Sequence, residues 1–315
     1  MPGATMRAVR VHDFGGPENL VLEEIPRPEP GPGEVLVENY AVGVLPVEWK
    51  IRQGLFKNYM PVKLPYLPGS AIAGIVAGVG PGVSDFEVGQ AVFGRANKGA
   101  YAEYATALAE NLAPKPEAVG FDEAATISGS ATPAWVALFD NGRLEAGQRV
   151  LIHAAAGGVG LFAVQFARLK GATVLATAGP DNLAFVRSLG VEQVVDYTAG
   201  PFEEKIGPVD LVIDSVGGDT LDRSFQLVRP GGTLVSLLSP PDQARAAALG
   251  IRATDNRVEQ PYPSRRLLGT IAELMAEGKV QTHIGPVFPL AQAAQAHALS
   301  QRGHGRGRII LHLAG

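Results

Sequence analysis

The stretch Val150-Leu151-Ile152-His153-Ala154-Ala155-Ala156-Gly157-Gly158-Val159-Gly160 runs straight into the apolar segment Leu161–Leu169. An apolar strand, a turn of small residues and an apolar helix can bury themselves only beside a parallel strand, and parallel strands are joined by crossovers. The chain after about Ile127 is written in this way. Strands are expected at Arg149–His153, Thr173–Thr177, Val194–Asp196, Val209–Asp214, Gly232–Leu237 and Ile251–Thr254, with helices at Gly158–Lys170, Asp181–Leu189, Gly218–Leu227 and Pro241–Leu249. This count of strands and crossovers predicts an α/β fold with a doubly wound parallel sheet.

The preceding half follows a different pattern. From Arg7 to about Phe121, short β-rich runs (Arg7–Val11, Val35–Val42, Ile72–Val79, Ala91–Phe93, Ala100–Tyr104) alternate with Gly/Pro turns such as Pro28–Gly33 and Gly80–Gly82. This predicts a mostly antiparallel β domain. After Pro261, a helix at Ser264–Glu277, the segment Gly285–Leu290, a short helix at Ala291–Leu299 and a strand at Arg308–Leu313 come too late to extend the parallel sheet. The tail is therefore assigned to the first domain. The expected domains are 1–126, 127–262 and 263–315, the middle one inserted in the other, with a cleft between them.

Composition narrows the partners. A formal net charge of -4 and the lack of a Lys/Arg-rich run leave no electrostatic footprint for nucleic acid or an acidic membrane. No apolar run is long enough for a membrane span, and Met1–Arg10 lacks the pattern of a secretory signal, so a cytoplasmic location is expected. Cysteine is absent, which excludes disulfides, thiolate nucleophiles and thiolate-bound zinc.

The turn after Ile152 presents bare backbone N–H groups and the positive end of a helix dipole, a combination suited to a pyrophosphate. Ala156, Gly157, Gly158, Val159 and Gly160 are the candidate contacts: Gly157 and Gly158 admit close approach, and Gly160 lets the helix settle onto the strand. The second strand ends in Ala176-Thr177-Ala178-Gly179, with a hydroxyl and amides but no carboxylate, which favours NADPH. Asp181, twenty-one residues after Gly160, is the alternative acid that would favour NADH, unless it only caps the next helix.

His153-Ala154-Ala155-Ala156-Gly157-Gly158-Val159-Gly160, Ala41-Val42-Gly43-Val44, Glu48-Trp49-Lys50-Ile51-Arg52, Leu67-Pro68-Gly69, Gly99-Ala100-Tyr101-Ala102-Glu103-Tyr104, Asp214-Ser215-Val216-Gly217-Gly218 and Arg229-Pro230-Gly231-Gly232 occur in order along the chain. Together they resemble the zinc-independent quinone oxidoreductases of the medium-chain dehydrogenase/reductase superfamily. The resemblance implies a Rossmann domain inserted in a GroES-like catalytic domain, a homodimer, and hydride transfer from NADPH to a quinone or an α,β-unsaturated carbonyl. It also implies that Thr177, Asn182 and Tyr197 meet the adenosine end and that Val216, Leu238 and Ser239 lie by the nicotinamide. Lys50 falls where relatives have a Tyr or Lys facing the cleft and is the candidate contact to the acceptor carbonyl, with Glu48 beside it in sequence. Phe56, Tyr59 and Tyr66 belong to a Pro-rich loop that would stack on a planar acceptor.

Zinc-dependent members of that superfamily carry ligands where this chain has Val44, Ser70-Ala71 and Gly129. None of these side chains suits zinc, so alcohol dehydrogenation is disfavoured and no metal site is expected. Relatives usually have Asn where this chain has Leu45, which keeps open a second reading as a non-catalytic, redox-sensing dinucleotide binder. The histidines lack metal-ligand spacing, and Asp196, Asp210 and Asp214 are expected to satisfy loop amides.

Overall fold

A computed structural model describes residues 4–58, 61–256 and 263–313. Tyr59 and the expected boundary at 262/263 lie outside these residues. The chain divides into two compact units, Met1–Gly129 with Pro261–Lys279 and His283–Gly315, and Ser130–Gln260 with Val280–Thr282.

The first unit begins with strands β1 (Thr5–Val11), β2 (Leu20–Pro26) and β3 (Glu34–Gly43) and helix α1 (Pro46–Arg52). Strands β4 (Ala71–Val79), β5 (Ala91–Arg95), β6 (Tyr104–Leu108) and β7 (Leu112–Pro114) follow, then helix α2 (Phe121–Thr126). The second unit contains α3 (Thr132–Trp135), β8 (Arg149–Ile152), α4 (Gly158–Leu169), β9 (Thr173–Ala178), α5 (Leu183–Ser188) and β10 (Gln193–Asp196). It continues with β11 (Val209–Asp214), α6 (Gly218–Ser224), β12 (Val228–Ser236), α7 (Gln243–Ala248) and β13 (Arg252–Asp255). Helix α8 (Arg265–Ala276), β14 (Ile284–Pro289), α9 (Ala293–Arg302) and β15 (Arg308–His312) return to the first unit.

In the first unit the sheet order is β14-β15-β3-β4-β5-β7, with β6 also paired to β3. All pairings are antiparallel except β14 with β15. The tail strand β15 pairs with β3 through Ile310 and Gly43, so the tail joins the sheet built around β3 and β4. Val35, Val37, Ile72, Val92, Tyr101 and Leu311 form its core.

One strand of this unit is unanticipated and one expectation is corrected. The run Leu20–Pro26 forms a strand that pairs with β1 in a separate two-stranded sheet. The expected strand Ala100–Tyr104 instead begins at Tyr104. Its backbone is taken by other partners: Ala100 and Tyr101 N–H groups both donate to Pro68 O, and the Asn39 amide donates to Ala100 O and Ala102 O. A side chain bonded to those carbonyls replaces a ladder, which alternation alone does not reveal.

The second unit is a sheet of order β10-β9-β8-β11-β12-β13, parallel throughout. This is the Rossmann arrangement, with the reversal of strand order between β8 and β11. Leu151, Leu175, Val212 and Leu234 come from four adjacent strands and form the sheet's buried layer with Phe225. Trp135 meets Phe139 and Phe166 edge-on, so these rings pack as helical spacing predicts. Among the described residues no helix is long and apolar enough to cross a membrane.

Candidate active site

All strands of the second unit run the same way, so their carboxyl ends share one edge, and the turn Gly157–Gly160 leaves β8 at the reversal point of that edge. Gly157 caps α4 with extended backbone and no side-chain cap, leaving the first amides of the helix without an intrahelical acceptor. Ala154, where the usual fingerprint has Gly, adopts φ 51°. A Cβ on Gly160 would stand 2.4 Å from Ala154 O and 2.7 Å from Ala155 Cα, whereas one on Gly157 would meet only Ala154 O at 3.3 Å. The absence of side chains here therefore does two jobs: at Gly160 it lets helix and strand touch, and at Gly157 it leaves an open cradle. The arrangement fits a dinucleotide pyrophosphate.

At the end of β9, Tyr197 Oη would lie 3.4 Å from a Cβ on Gly179, and Asn182 N–H donates to Gly179 O. Tyr197 is 39% exposed, so the ring is available. Thr177 is different. It is buried, and its hydroxyl lies 2.9 Å from His153 Nδ1, while His153 Nε2 lies 2.9 Å from Ser224 Oγ. Ser224 donates to Thr220 O, so Nε2 carries the hydrogen and Thr177 donates to Nδ1. Burial, then Arg223, holds His153 down to about 3, so it is a neutral packed residue.

Asp214 accepts from the Val216 and Gly217 N–H groups and folds the loop after β11, the amide-satisfying role expected of it. That loop leaves Val216 45% and Leu238 41% exposed at the ends of β11 and β12, with Ser239 beside Leu238. The predicted positions Ala156–Gly160, Thr177, Asn182, Tyr197, Val216, Leu238 and Ser239 thus fall along one edge of the sheet.

In the first unit, Pro46 at the start of α1 suits a position needing no N–H, and Glu48 Oε2 reaches back to the Leu45 N–H at 2.8 Å. Glu48 is buried and turned inward, where Tyr101 Oη donates to the same oxygen at 2.7 Å. His297 Nε2 lies 2.9 Å from Tyr101 Oη, and Arg52 Nε donates to His297 Nδ1 at 3.3 Å. Donors therefore run in one direction: Arg52, His297, Tyr101, Glu48. Burial lifts the Glu48 carboxyl to about 7 despite the Tyr101 and Leu45 bonds. Burial, with Arg52 next, takes His297 down to about 3. Lys50, on the next residues of the helix, is half-buried with its ammonium 5.5 Å from the Trp49 ring, and burial lowers its pKa.

The positions that would carry zinc ligands do not fit a metal. Val44, Ala71 and Gly129 offer no donor side chain, Ser70 offers only a neutral hydroxyl, and a Cβ at 129 would sit 2.4 Å from Leu45 Cδ2. The buried guanidinium of Arg308 donates to the carbonyls of Val44 (3.1 Å) and Gly129 (3.3 Å), placing a fixed positive charge between these two segments.

Comparison with known proteins bears on this geometry. A zinc-binding dehydrogenase family model matches residues 189–311, and an alcohol dehydrogenase GroES-like domain model matches residues 31–117. The quinone oxidoreductase of Mus musculus is 34% identical across 98% of both chains. This chain belongs to the quinone oxidoreductase family of medium-chain dehydrogenase/reductases. Its structure matches the quinone oxidoreductase of Coxiella burnetii with a TM-score of 0.90 at 32% identity, over 99% of this chain and 100% of the other. A mycobacterial protein solved in complex with NADPH matches with a TM-score of 0.89 at 30% identity, over 98% of this chain and 99% of that one.

Reading this quinone oxidoreductase family member from sequence missed Arg52, Tyr101, His297 and Arg308 as a buried polar set. No local signal marks them: Arg52 is flanked by Lys50-Ile51 and Gln53, and Arg308 follows Arg306-Gly307, so both read as surface cations. Tyr66 bridges back to Val11 and is partly buried, so burial raises it to about 12 and it stacks on none of the described rings.

Glu48 gives a pH signature of known sign. Its folded pKa of about 7 lies above the ordinary 4.5, so the folded state holds the proton more tightly and stability falls as pH rises from 4.5 through 7. The whole effect is roughly 3 kcal/mol at 1.36 kcal/mol per unit. Urea melts at pH 5 and pH 8 are expected to show E48Q gaining on the parent as pH rises. A pH-independent difference would contradict the assignment.

Proposed function

We propose that this oxidoreductase uses NADPH to reduce a quinone, without zinc. The observation that carries the proposal is the bare Gly157–Gly160 turn at the reversal point of the sheet, combined with a β9 end of Thr177-Ala178-Gly179 that itself carries no carboxylate, Asp181 standing two residues further on in the turn Pro180–Asn182 and not at the cap of α5. The NADPH-bound mycobacterial relative supports the choice of cofactor. When bound, NADPH supplies the hydride, and the acceptor takes one further proton to become a quinol.

The chain's own residues supply position and charge. The amides of Gly158, Val159 and Gly160 bind pyrophosphate oxygens. Tyr197 and Asn182 border the adenosine end; Thr177, its hydroxyl donated to His153, contributes backbone and shape. Val216 and Leu238 offer an apolar border to the nicotinamide. Lys50 donates to an acceptor carbonyl as negative charge develops there, and Glu48 acts as a positioning residue that fixes the start of α1 through Leu45. A conjugated acceptor spreads its charge, so one ammonium and good positioning replace a Lewis acid.

Oxidation of NADPH and of NADH followed at 340 nm with 1,4-naphthoquinone and with an alkenal tests the assignment. Faster turnover of NADPH with the naphthoquinone is expected. Turnover of the alkenal alone would make the chain an enone reductase, and binding without any turnover would favour the sensor reading that Leu45 suggested. K50M is expected to lower kcat/KM for the quinone by about 10- to 100-fold with NADPH affinity unchanged. An unchanged kcat/KM would remove Lys50 from the acceptor site.

A further inference from the structure

The opposite edge of the parallel sheet, where the strands begin, carries a polar recess of about 450 Å³ that no step of the proposed reaction uses. Arg143, Arg229 and Arg252 line it together with Asp210, Gln148 and Thr233. The recess exists because β12 departs from its partner. Its register with β11 shifts between Val209 and Leu211, so Arg229-Pro230-Gly231-Gly232 stands out of the ladder opposite Asp210.

The charges there do not cancel. Asp210 is buried, accepts the Arg149 N–H at 2.8 Å, and pairs with Arg229. Arg252 donates to the carbonyl of Asn141. No hydrogen bond or ion pair engages the Arg143 side chain among the described residues, and its backbone holds φ 51°, a conformation that favours Gly. Burial, with the neighbouring Arg143 charge next, lowers the Arg252 pKa, so the two guanidiniums feel each other. Three cations face one carboxylate in a chain whose formal net charge is -4. Like charges converging on one hollow are stabilised by an anion between them, and guanidinium forks bind planar or tetrahedral oxyanions two bonds at a time.

We propose that this recess is a second ligand site, taking a small oxyanion, a phosphate or a carboxylate. Arg143 and Arg252 are its principal contacts, and Gln148 and Thr233 are neutral partners. Arg229 is already committed to Asp210 and shapes the wall. The site lies a strand length, roughly 15 Å, from the cofactor edge, so an ion here and a dinucleotide there do not compete for the same atoms. The inference stands whether or not the proposed quinone reduction is correct.

Calorimetric titration with inorganic phosphate and, separately, with citrate tests it on the full chain, both alone and saturated with NADPH. One ion per chain is expected, with the same affinity in both states, and the better of the two probes names the class. R143G/R252Q should bind at least tenfold more weakly, and R266Q/R302Q, which removes the same charge from exposed helix positions elsewhere, should bind like the parent. Should the double variant fail to fold, R143G carries the test, because glycine suits the backbone there. Loss of the phosphate signal on NADPH saturation would locate the ion in the cofactor cradle and overturn the proposal. Uptake of neither ion, or equal binding by R143G/R252Q, would overturn it as well.

Discussion

G160V is expected to abolish measurable NADPH binding, and G160A to weaken it by about 10- to 100-fold. The atoms a new Cβ would strike are Ala154 O at 2.4 Å and Ala155 Cα at 2.7 Å, both backbone, so no rotamer change relieves the clash. Either α4 lifts off β8 or the turn itself moves, and overpacking of this kind costs about 1–3 kcal/mol for a single methyl and more for valine. At 1.4 kcal/mol per tenfold, the methyl alone accounts for about the predicted loss if the strain falls on the bound state. G157A provides the contrast: its Cβ meets only Ala154 O at 3.3 Å, so the fold should survive and binding should suffer through the narrowed cradle. Fluorescence titration of NADPH and thermal melts separate the two. Parent-like affinity in G160V would mean that the turn does not hold the cofactor.

R308M is expected to lower the stability of the first unit by about 3–5 kcal/mol, the range for breaking a buried charged cluster by removing one member. Methionine fills much of the volume but leaves the carbonyls of Val44 and Gly129 without their donor and Glu48 with Arg95 as its remaining cationic neighbour. Burial already pulls Arg308 down to about 10, against the favourable pull of Glu48 and Tyr101, so the charge is held there by its partners. R308K should recover only part of the loss, because an ammonium cannot span two carbonyls as a planar fork does. Urea unfolding followed by Trp49 fluorescence, with the second unit's Trp135 replaced by Phe, reports on the first unit. A change below about 1 kcal/mol, the scale of an exposed pair, would contradict the account.

Patterns that repeat along the chain were legible in the sequence. Apolar runs separated by helical spacing placed every strand of the second unit, and the late position of Arg308–Leu313 assigned the tail to the first unit's sheet, where Ile310 pairs with Gly43. The small residues after Ile152 located the turn, because only a missing side chain allows the approach that Gly160 makes to Ala154. Side-chain bonds between distant residues were not legible. Tyr101 and His297 are 196 positions apart, and nothing near either residue announces the other. The same holds for Thr177, which reads as a free hydroxyl at a strand end until His153 is seen to accept its hydrogen bond. Glu48 follows this rule too: adjacency to Lys50 suggested a shared role, but helical rotation turns it toward Leu45 and Tyr101 instead.

The proposed chemistry depends on the Gly157–Gly160 turn gripping a reduced pyridine dinucleotide. Titration of the purified chain with NADPH, followed by the enhancement of its nicotinamide fluorescence, should saturate at one molecule per chain, more tightly than NADH, and the signal should vanish in G160V. A flat titration with both dinucleotides, or saturation that G160V leaves intact, would contradict it.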